Sequence, residues 1–452
     1  MSVALNIVLN IGMGLIIIIW FIRLGFQMGF QKKSPSTAKK TTGSKKPTGS
    51  FQKWLDQLFH KQSSYSGEKA NRRDILEIFT MAILIRLAIY LVSFVYMFIA
   101  SDETTFTVSN FLETWNRWDA PHYIEIAQNG YGKWESEGRH LFLVFFPLYP
   151  WMLRIIHLFI SNWEAACLVL SSLSYAAGCC FFYATLSEEY SKSIAYKSIV
   201  LLSVFPFAFF FGAMMTESLF FCTISMGYYF IRKHNWLAVG LVGILCSLCR
   251  IQGVIIMGVA GVEFLITYPF FKMYREKRLK EFFHAVFTKG IFLLLAPVGN
   301  LIYLYINYRV EGNPFQFTVY QSEHWYHKTT YFTNCISEIL SNIRNPETTN
   351  TLLMCIWLPE LICFLLAVIL LIYGLKRHPL KYTAFLLVYT LINYSVTFLI
   401  SGSRYMNCAF PLFIISGEIL DRHPKWYPWV TAVSAMLMTL YMIGYFQWKQ
   451  IM

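Results

Sequence analysis

Apolar runs long enough to cross a bilayer recur along this chain, and they set its reading before any single residue does. A crossing needs about 20 apolar residues in a helix. Such runs lie at 4–26 and near 75–100, 163–187, 195–212, 214–231, 236–250, 252–271, 287–308, 351–374, 379–400, 404–420 and 427–446. They predict an all-α polytopic membrane protein with about 12 crossings. One run breaks the pattern. Segment 141–160 is apolar enough to span, yet it holds Pro147, Pro150, Arg154 and His157, which suit a helix lying in the interface. Counting it as a crossing would also invert every basic loop that follows. It is therefore expected on the outer surface, continuing the first of two long outer loops, 101–140 and 309–350.

The polar intervals divide the chain into three. Residues 1–26 read as an N-terminal membrane anchor; they lack a basic start and a small-residue cleavage site, so no signal peptide is expected. Residues 27–73 form a linker in which Lys32, Lys33, Lys39, Lys40, Lys45, Lys46 and Lys53 precede the first acid, Asp56. Its Ser, Thr, Gly and Lys content cannot bury a core, so it is expected to be disordered, cytoplasmic and within reach of anionic lipid. Residues 74–452 form the main transmembrane domain.

Composition agrees. The chain is 56% hydrophobic and 14% charged, where a soluble domain carries about 25% charged residues. The net charge of +13 does not point to nucleic acid. Arg72/Arg73, Arg232/Lys233, the run Lys272 to Lys280, Lys376/Arg377 and Arg422/Lys425 all fall on one side of the predicted topology, the cytoplasmic side. Nine of the ten cysteines lie in or beside apolar runs, Cys335 being the exception, and read as packing residues. No P-loop or dinucleotide glycine motif is present. His324 and His327 lack the Glu of a zinc-binding H-E-x-x-H, so no zinc site is expected there. Glu77 and Arg86, inside the 75–100 run, are expected to be structural.

With this topology, ionisable residues collect at the outer ends of the spans. Of five Asp residues, only Asp102 and Asp119 face outward, and Asp102 merely ends a helix. Asp119 stands with Arg117 and His122 in Trp115-Asn-Arg-Trp-Asp-Ala-Pro-His-Tyr123. Glu217 falls at the tip between two spans, and Arg250 and Arg404-Tyr405 fall where others meet. Charges at membrane depth are costly and usually have a partner or a task. Arginine forks match phosphate oxygens, and a phosphate whose charge is held is a competent leaving group. What remains is one base to take the proton from an attacking hydroxyl. That pattern points to a lipid-linked sugar phosphate as donor, with Asp119 as base, Arg117, Arg250 and Arg404 on the phosphate, and inversion at the anomeric carbon. Trp115, Trp118, Tyr123 and Tyr131 could stack on sugar faces. Asp119 and Glu217 could share a divalent cation. A flippase or transporter of a lipid-linked saccharide is the competing reading, but it should place its ionisable residues near the bilayer midplane in repeated halves.

The stretch Arg117-Trp-Asp-Ala-Pro-His-Tyr-Ile-Glu-Ile-Ala-Gln-Asn-Gly-Tyr131 resembles the signature of the GPI mannosyltransferase II family and its bacterial relatives. Further matches follow in order: Phe145-Phe-Pro-Leu-Tyr-Pro150, Met215-Thr-Glu-Ser-Leu-Phe220, Arg250-Ile-Gln-Gly253, Gly312-Asn-Pro-Phe-Gln-Phe317 with Gln321 and Trp325, and Arg404-Tyr405 with Phe410-Pro411. The resemblance runs from about residue 75 to about residue 425. It implies a C-type (GT-C-like) glycosyltransferase, using a polyprenyl-phosphate sugar (mannose or another hexose) outside the cytoplasm. Asp119 would be the base, with His122, Tyr123, Glu217, Gln321, Trp325 and Tyr405 binding or supporting substrate. The Lys-, Ile-, Phe- and Tyr-rich composition leans toward a bacterial protein. The acceptor is then a lipid or a cell-envelope glycan rather than a GPI anchor.

Overall fold

The computed structural model describes residues 3–30, 67–101, 106–132 and 138–451. Most of the basic linker expected at 27–73, and Asp102, lie outside the described residues. Helices account for the regular structure, and among the described residues the one isolated bridge joins Thr329 and Val396. Among the described residues seven helical stretches are long and apolar enough to cross a membrane: Ala4–Gln27, Arg72–Ala100, Trp163–Glu189, Ile251–Arg275, Leu279–Glu311, Asn350–Arg377 and Tyr427–Phe446. The runs near 195–212, 214–231, 236–250, 379–400 and 404–420 correspond to helices of 13, 16, 14, 14 and 12 residues. Leu84, Leu87, Leu91, Ile362, Ile369, Ile372, Val433, Met436 and Leu440 are exposed on the outer faces of three of the long stretches. Apolar side chains turned outward along whole helices are what a lipid solvent selects. The chain is a multi-pass membrane protein.

Helix α1 (Val3–Gln27) lies at the periphery. It buries Met13, Ile16, Trp20 and Leu24, one stripe at three- and four-residue spacing. Trp20 donates to the Thr383 hydroxyl at 3.2 Å and Arg23 to the Leu375 carbonyl at 2.6 Å. The anchor is thus packed on the main domain. α2 (Arg72–Ala100) opens with a capping box, in which Asn71 Oδ1 accepts from the Asp74 amide at 2.8 Å and Asp74 accepts from the Asn71 amide at 3.0 Å. Glu77 and Arg86 do not meet. Glu77 pairs with Arg73, one turn away, at 2.8 Å. Arg86 is buried, lies 4.4 Å from the Tyr175 ring centre and donates to the carbonyls of Ala208 and Ser203 at 2.7 and 3.3 Å.

α3 (Val108–Trp115), α4 (Ala120–Asn129) and α5 (Leu148–His157) follow. At ten residues, α5 spans about 15 Å, half a hydrocarbon core, so α5 by itself is too short to cross. Arg154 donates to the carbonyls of Ile126, at 3.2 Å, and Ala127, closing the C-terminus of α4. α6 (Trp163–Glu189) is the spine. Of its membrane-length window 61% is buried inside the protein, against 17% for α1.

Between α7 (Lys192–Val204) and α8 (Glu217–Arg232) the chain does something the hydropathy pattern does not announce. Instead of turning at an exposed tip, residues 207–216 fold into the interior as a buried one-turn helix and loop. Buried irregular backbone must have its polar groups satisfied. Here side chains do it: the carbonyl of Phe207 accepts from Asn407 at 2.6 Å, Ala208 from Arg86, Gly212 from the Tyr90 hydroxyl at 2.7 Å, and Ala213 from the Ser171 hydroxyl at 2.7 Å.

α9 (Trp236–Cys249) and α10 (Ile255–Thr267) meet at an extended break at Arg250. α11 (Phe270–Arg275) and α12 (Leu279–Thr288) make a short hairpin before α13 (Val298–Glu311). α14 (Gln316–His324) and α15 (Phe332–Arg344) occupy the second long polar interval, and α16 (Leu358–Arg377), α17 (Leu380–Asn393), α18 (Pro411–Arg422) and α19 (Tyr427–Phe446) complete the bundle. The end carrying the basic loops is knit by ion pairs: Lys192 with Asp74 at 2.9 Å, Lys197 with Asp421 at 2.5 Å, Lys233 with Glu188, and Lys381 with Glu189.

Candidate active site

The motif around Asp119 folds as a tight junction between α3 and α4. Trp115 is fully buried against Phe446, and the Tyr445 hydroxyl donates to its carbonyl at 3.3 Å. Trp118 takes a φ of +57°, a left-handed conformation that a bulky side chain adopts only when its surroundings hold it there. Its ring meets Trp448 edge-on, with centres 5.2 Å apart. This kink sets Asp119 just ahead of α4, where its backbone carbonyl accepts from the amides of His122 and Tyr123 at 3.2 and 3.4 Å. Its carboxylate does not cap the helix. It reaches across to the far end of the chain.

There it accepts from Arg404 Nη1 at 3.3 Å. Arg404 Nε donates to Glu217 Oε1 at 2.5 Å, and the same oxygen accepts from Arg250 Nη2 at 2.5 Å. Arg250 Nε donates to the Thr216 hydroxyl at 2.8 Å. Two acids and two guanidiniums thus form one chain of charge-assisted bonds, Asp119–Arg404–Glu217–Arg250. The acids differ in access: the Glu217 side chain is 0% exposed, whereas that of Asp119 is 32% exposed. The Tyr405 ring centre lies 5.2 Å from the Arg250 guanidinium and 5.7 Å from that of Arg404.

Each member is held locally. Glu217 opens α8 and is buried rather than at an exposed tip, because the preceding loop turns inward. A carboxylate there also faces the positive end of its helix. Arg250 sits at the break after α9, and Gly253 is pressed so closely on the Cys246 carbonyl that no Cβ fits. Arg404 rides on the one-turn helix Gly402–Tyr405. Glu360 of α16 fixes that turn, accepting from the Ser403 amide at 3.0 Å and from its hydroxyl at 3.3 Å. Glu360 was not singled out by the sequence reading, since a carboxylate inside an apolar run carries no spacing that names its partner.

The remaining expected residues divide. The His122 ring is packed 4.9 Å from Phe142 and 5.3 Å from Phe145. Burial pulls its pKa below the usual histidine value, against the opposing charge of Asp119. Tyr123 packs on Phe145 and Tyr149, and Trp325 meets Phe145 from the other side at 6.1 Å. Gln321 contributes backbone, its carbonyl accepting from the amides of Trp325 and His327 at 3.2 and 3.0 Å. Arg117 is turned away from the charge chain. Its Nε donates to the Thr114 carbonyl at 2.7 Å, and its guanidinium lies 4.4 Å from the Trp448 ring centre. His327, considered in the sequence only as half of a zinc pair, stands within the field of Asp119. Burial lowers its pKa, while the Phe398 carbonyl at 3.1 Å and the Asp119 charge act the other way.

A divalent cation shared by Asp119 and Glu217 does not fit this arrangement. The Arg404 guanidinium bonds both carboxylates and fills the space between them with positive charge. Among the described residues no three His, Cys, Asp or Glu side chains gather as a metal site.

No protein-family profile matches this chain, and no curated protein matches it. Among solved structures it is similar to the crystal structure of ArnT from Cupriavidus metallidurans bound to undecaprenyl phosphate, at 12% identity and a TM-score of 0.47, over 82% of this chain and 76% of that one. Chains this far apart share only an outline, and no residue of ArnT is carried onto this one.

Proposed function

We propose that the protein is a membrane glycosyltransferase of the C type. It moves a sugar, mannose or another hexose, from a polyprenyl-phosphate donor to an acceptor hydroxyl on the non-cytoplasmic face. The observation that carries this reading is the unequal pair of acids: a sealed Glu217 that orients two guanidiniums, and a reachable Asp119 at the end of the same chain of bonds.

The geometry suggests a sequence of events. The longest link in the chain is Arg404–Asp119, at 3.3 Å against 2.5 Å for the two bonds to Glu217. A donor phosphate approaching Arg250 and Arg404 competes with Asp119 for Arg404, while Glu217 keeps both guanidiniums in place. The Asp119 carboxylate is then open to an acceptor hydroxyl. The hydroxyl oxygen attacks the anomeric carbon, its proton passes to Asp119, and the bond from that carbon to the phosphate oxygen breaks. The electron pair leaves on a phosphate held by the arginines. A single displacement of this kind inverts the anomeric centre. Burial disfavours the charged form of His122, which suits it to orienting a hydroxyl rather than to competing for its proton. Arg117, directed at Trp448, supports the junction from the side.

The test is transfer by purified protein from a panel of polyprenyl-phosphate sugars, wild type against Asp119→Asn. Consumption of one donor by wild type alone is expected. Equal transfer by the variant sinks the role of Asp119. No transfer, together with protein-dependent movement of the lipid across vesicles, establishes the competing flippase reading instead.

A further inference from the structure

The hairpin joining α10 to α13 encloses a second candidate site, at the end of the bundle opposite Asp119. It falls where the membrane-length stretch Ile251–Arg275 ends and Leu279–Glu311 begins, which places it at a bilayer surface. A cavity of about 950 Å³ lies there, lined by Thr267, Tyr268, Lys272, Lys280, His284 and Lys289 among others. That volume is within the range of small-molecule sites.

Its charges are unequally spent. Arg278 is engaged by Glu276 at 3.2 Å and Glu281 at 2.7 Å, so those three groups leave one negative charge, which one of the three lining lysines offsets. Lys272 reaches Glu276 only at 4.0 Å. Lys289 donates to the Tyr268 hydroxyl at 2.8 Å, and among the described residues no carboxylate pairs with Lys280 or Lys289. By contrast Lys192, Lys197, Lys233 and Lys381, at the same end, each have a carboxylate. The cavity therefore keeps a positive surplus, unlike these four paired lysines.

Beside the surplus charge runs an apolar edge. Phe283 and Phe287 are one turn apart and exposed, next to Lys280 and His284 around α12, and exposed Ile291 and Leu294 continue the strip toward α13. An anionic head with apolar tails matches both halves. The C-terminal end of α1 reaches the same hairpin. The Met28 carbonyl accepts from the Lys272 amide at 3.2 Å and the Phe30 carbonyl from Arg275 at 3.1 Å. The lysine-rich interval 32–53 begins two residues later.

We propose that this cavity binds the headgroup of an anionic phospholipid, with Lys280 and Lys289 on the phosphate and the acyl chains along Phe283, Phe287, Ile291 and Leu294. A lysine near a membrane surface strengthens anionic-lipid binding roughly fivefold, so two give roughly thirtyfold. The experiment is native mass spectrometry of the full chain from micelles doped with equal phosphatidylglycerol and phosphatidylcholine. Wild type is expected to retain phosphatidylglycerol in preference. The double variant Lys280→Gln/Lys289→Gln should lose that preference by roughly thirtyfold, and Lys280→Arg/Lys289→Arg should keep it. Both lysines are exposed, and an unchanged melting temperature checks that each variant is folded. Equal retention of the two lipids by wild type, or unchanged preference in the glutamine variant, overturns the proposal. Displacement of the lipid by millimolar inorganic phosphate also overturns it, since the cavity would then be a site for soluble phosphate.

Discussion

The two ends of this bundle use the same ionic chemistry to opposite effect. At the basic end Lys381 is buried with Glu189, whose second oxygen accepts from the Tyr382 hydroxyl at 2.6 Å, while the Tyr228 hydroxyl donates to the Lys381 carbonyl at 3.0 Å. Both oxygens of that acid are occupied. At the other end Glu217 is fully buried, and the chain of bonds continues outward to an acid that solvent reaches. Counting charges would not separate a rivet from a site. The basic-end network also reaches the surface, at Arg232, 37% exposed and 3.5 Å from Glu189. What separates them is whether the outermost group is an acid, which can take a proton, or a guanidinium, which cannot.

Paired substitutions test that distinction. Asp119→Asn should abolish transfer, at least ~10³-fold if base and charge are both lost, with little change in melting temperature. Lys381→Met should do the reverse: removing one partner of a buried pair costs about 3–5 kcal/mol, while activity per folded molecule survives. The comparison fails if the two variants have the same profile. Next in size, Glu217→Gln should lower kcat/KM by ~10²-fold, since both guanidiniums lose their anionic anchor, and should also destabilise the fold. Glu360→Gln acts one shell further out, through Ser403. We expect about a tenfold loss, with KM for the donor rising more than kcat falls because Arg404 is misplaced.

The smallest effect concerns pH. Burial lowers the pKa of His122 below the unfolded histidine value of about 6.5. Between its folded pKa and about 6.5 the unfolded chain binds more protons, so stability is fully present above about 6.5 and declines as pH falls toward the folded pKa. His122→Phe should flatten that slope in denaturation curves measured across the window. An unchanged slope would assign it to His327, shifted in the same direction.

Much of this was legible in the chain. Period and run length identify the helices, and the prolines with Arg154 and His157 mark segment 141–160 as different. Asp119, Glu217, Arg250 and Arg404 could be grouped because polar residues in apolar context need partners, and the structure brings all four together. The misses have a common physical cause. Glu217 reads as an exposed tip because hydropathy cannot tell an outward turn from an inward one; only Arg86, Tyr90, Ser171 and Asn407 make the inward loop tolerable, and none adjoins it in sequence. Arg117 reads as Asp119's neighbour because it is two residues away, but the left-handed Trp118 between them turns it aside. Glu360 is silent until the turn it holds is seen.

The inward loop has a consequence for how the protein is made. Its Phe207 carbonyl waits for Asn407, 200 residues later in synthesis, and Glu217 waits for Arg404, 187 residues later. A chain that has emerged only as far as α17 therefore holds a carboxylate with one of its two guanidiniums and a carbonyl without its side-chain donor. Such an intermediate is what a membrane insertase or quality-control protease would encounter. The candidate site is among the later parts to close, and its completion reports that the chain has arrived at least as far as Arg404 and Asn407.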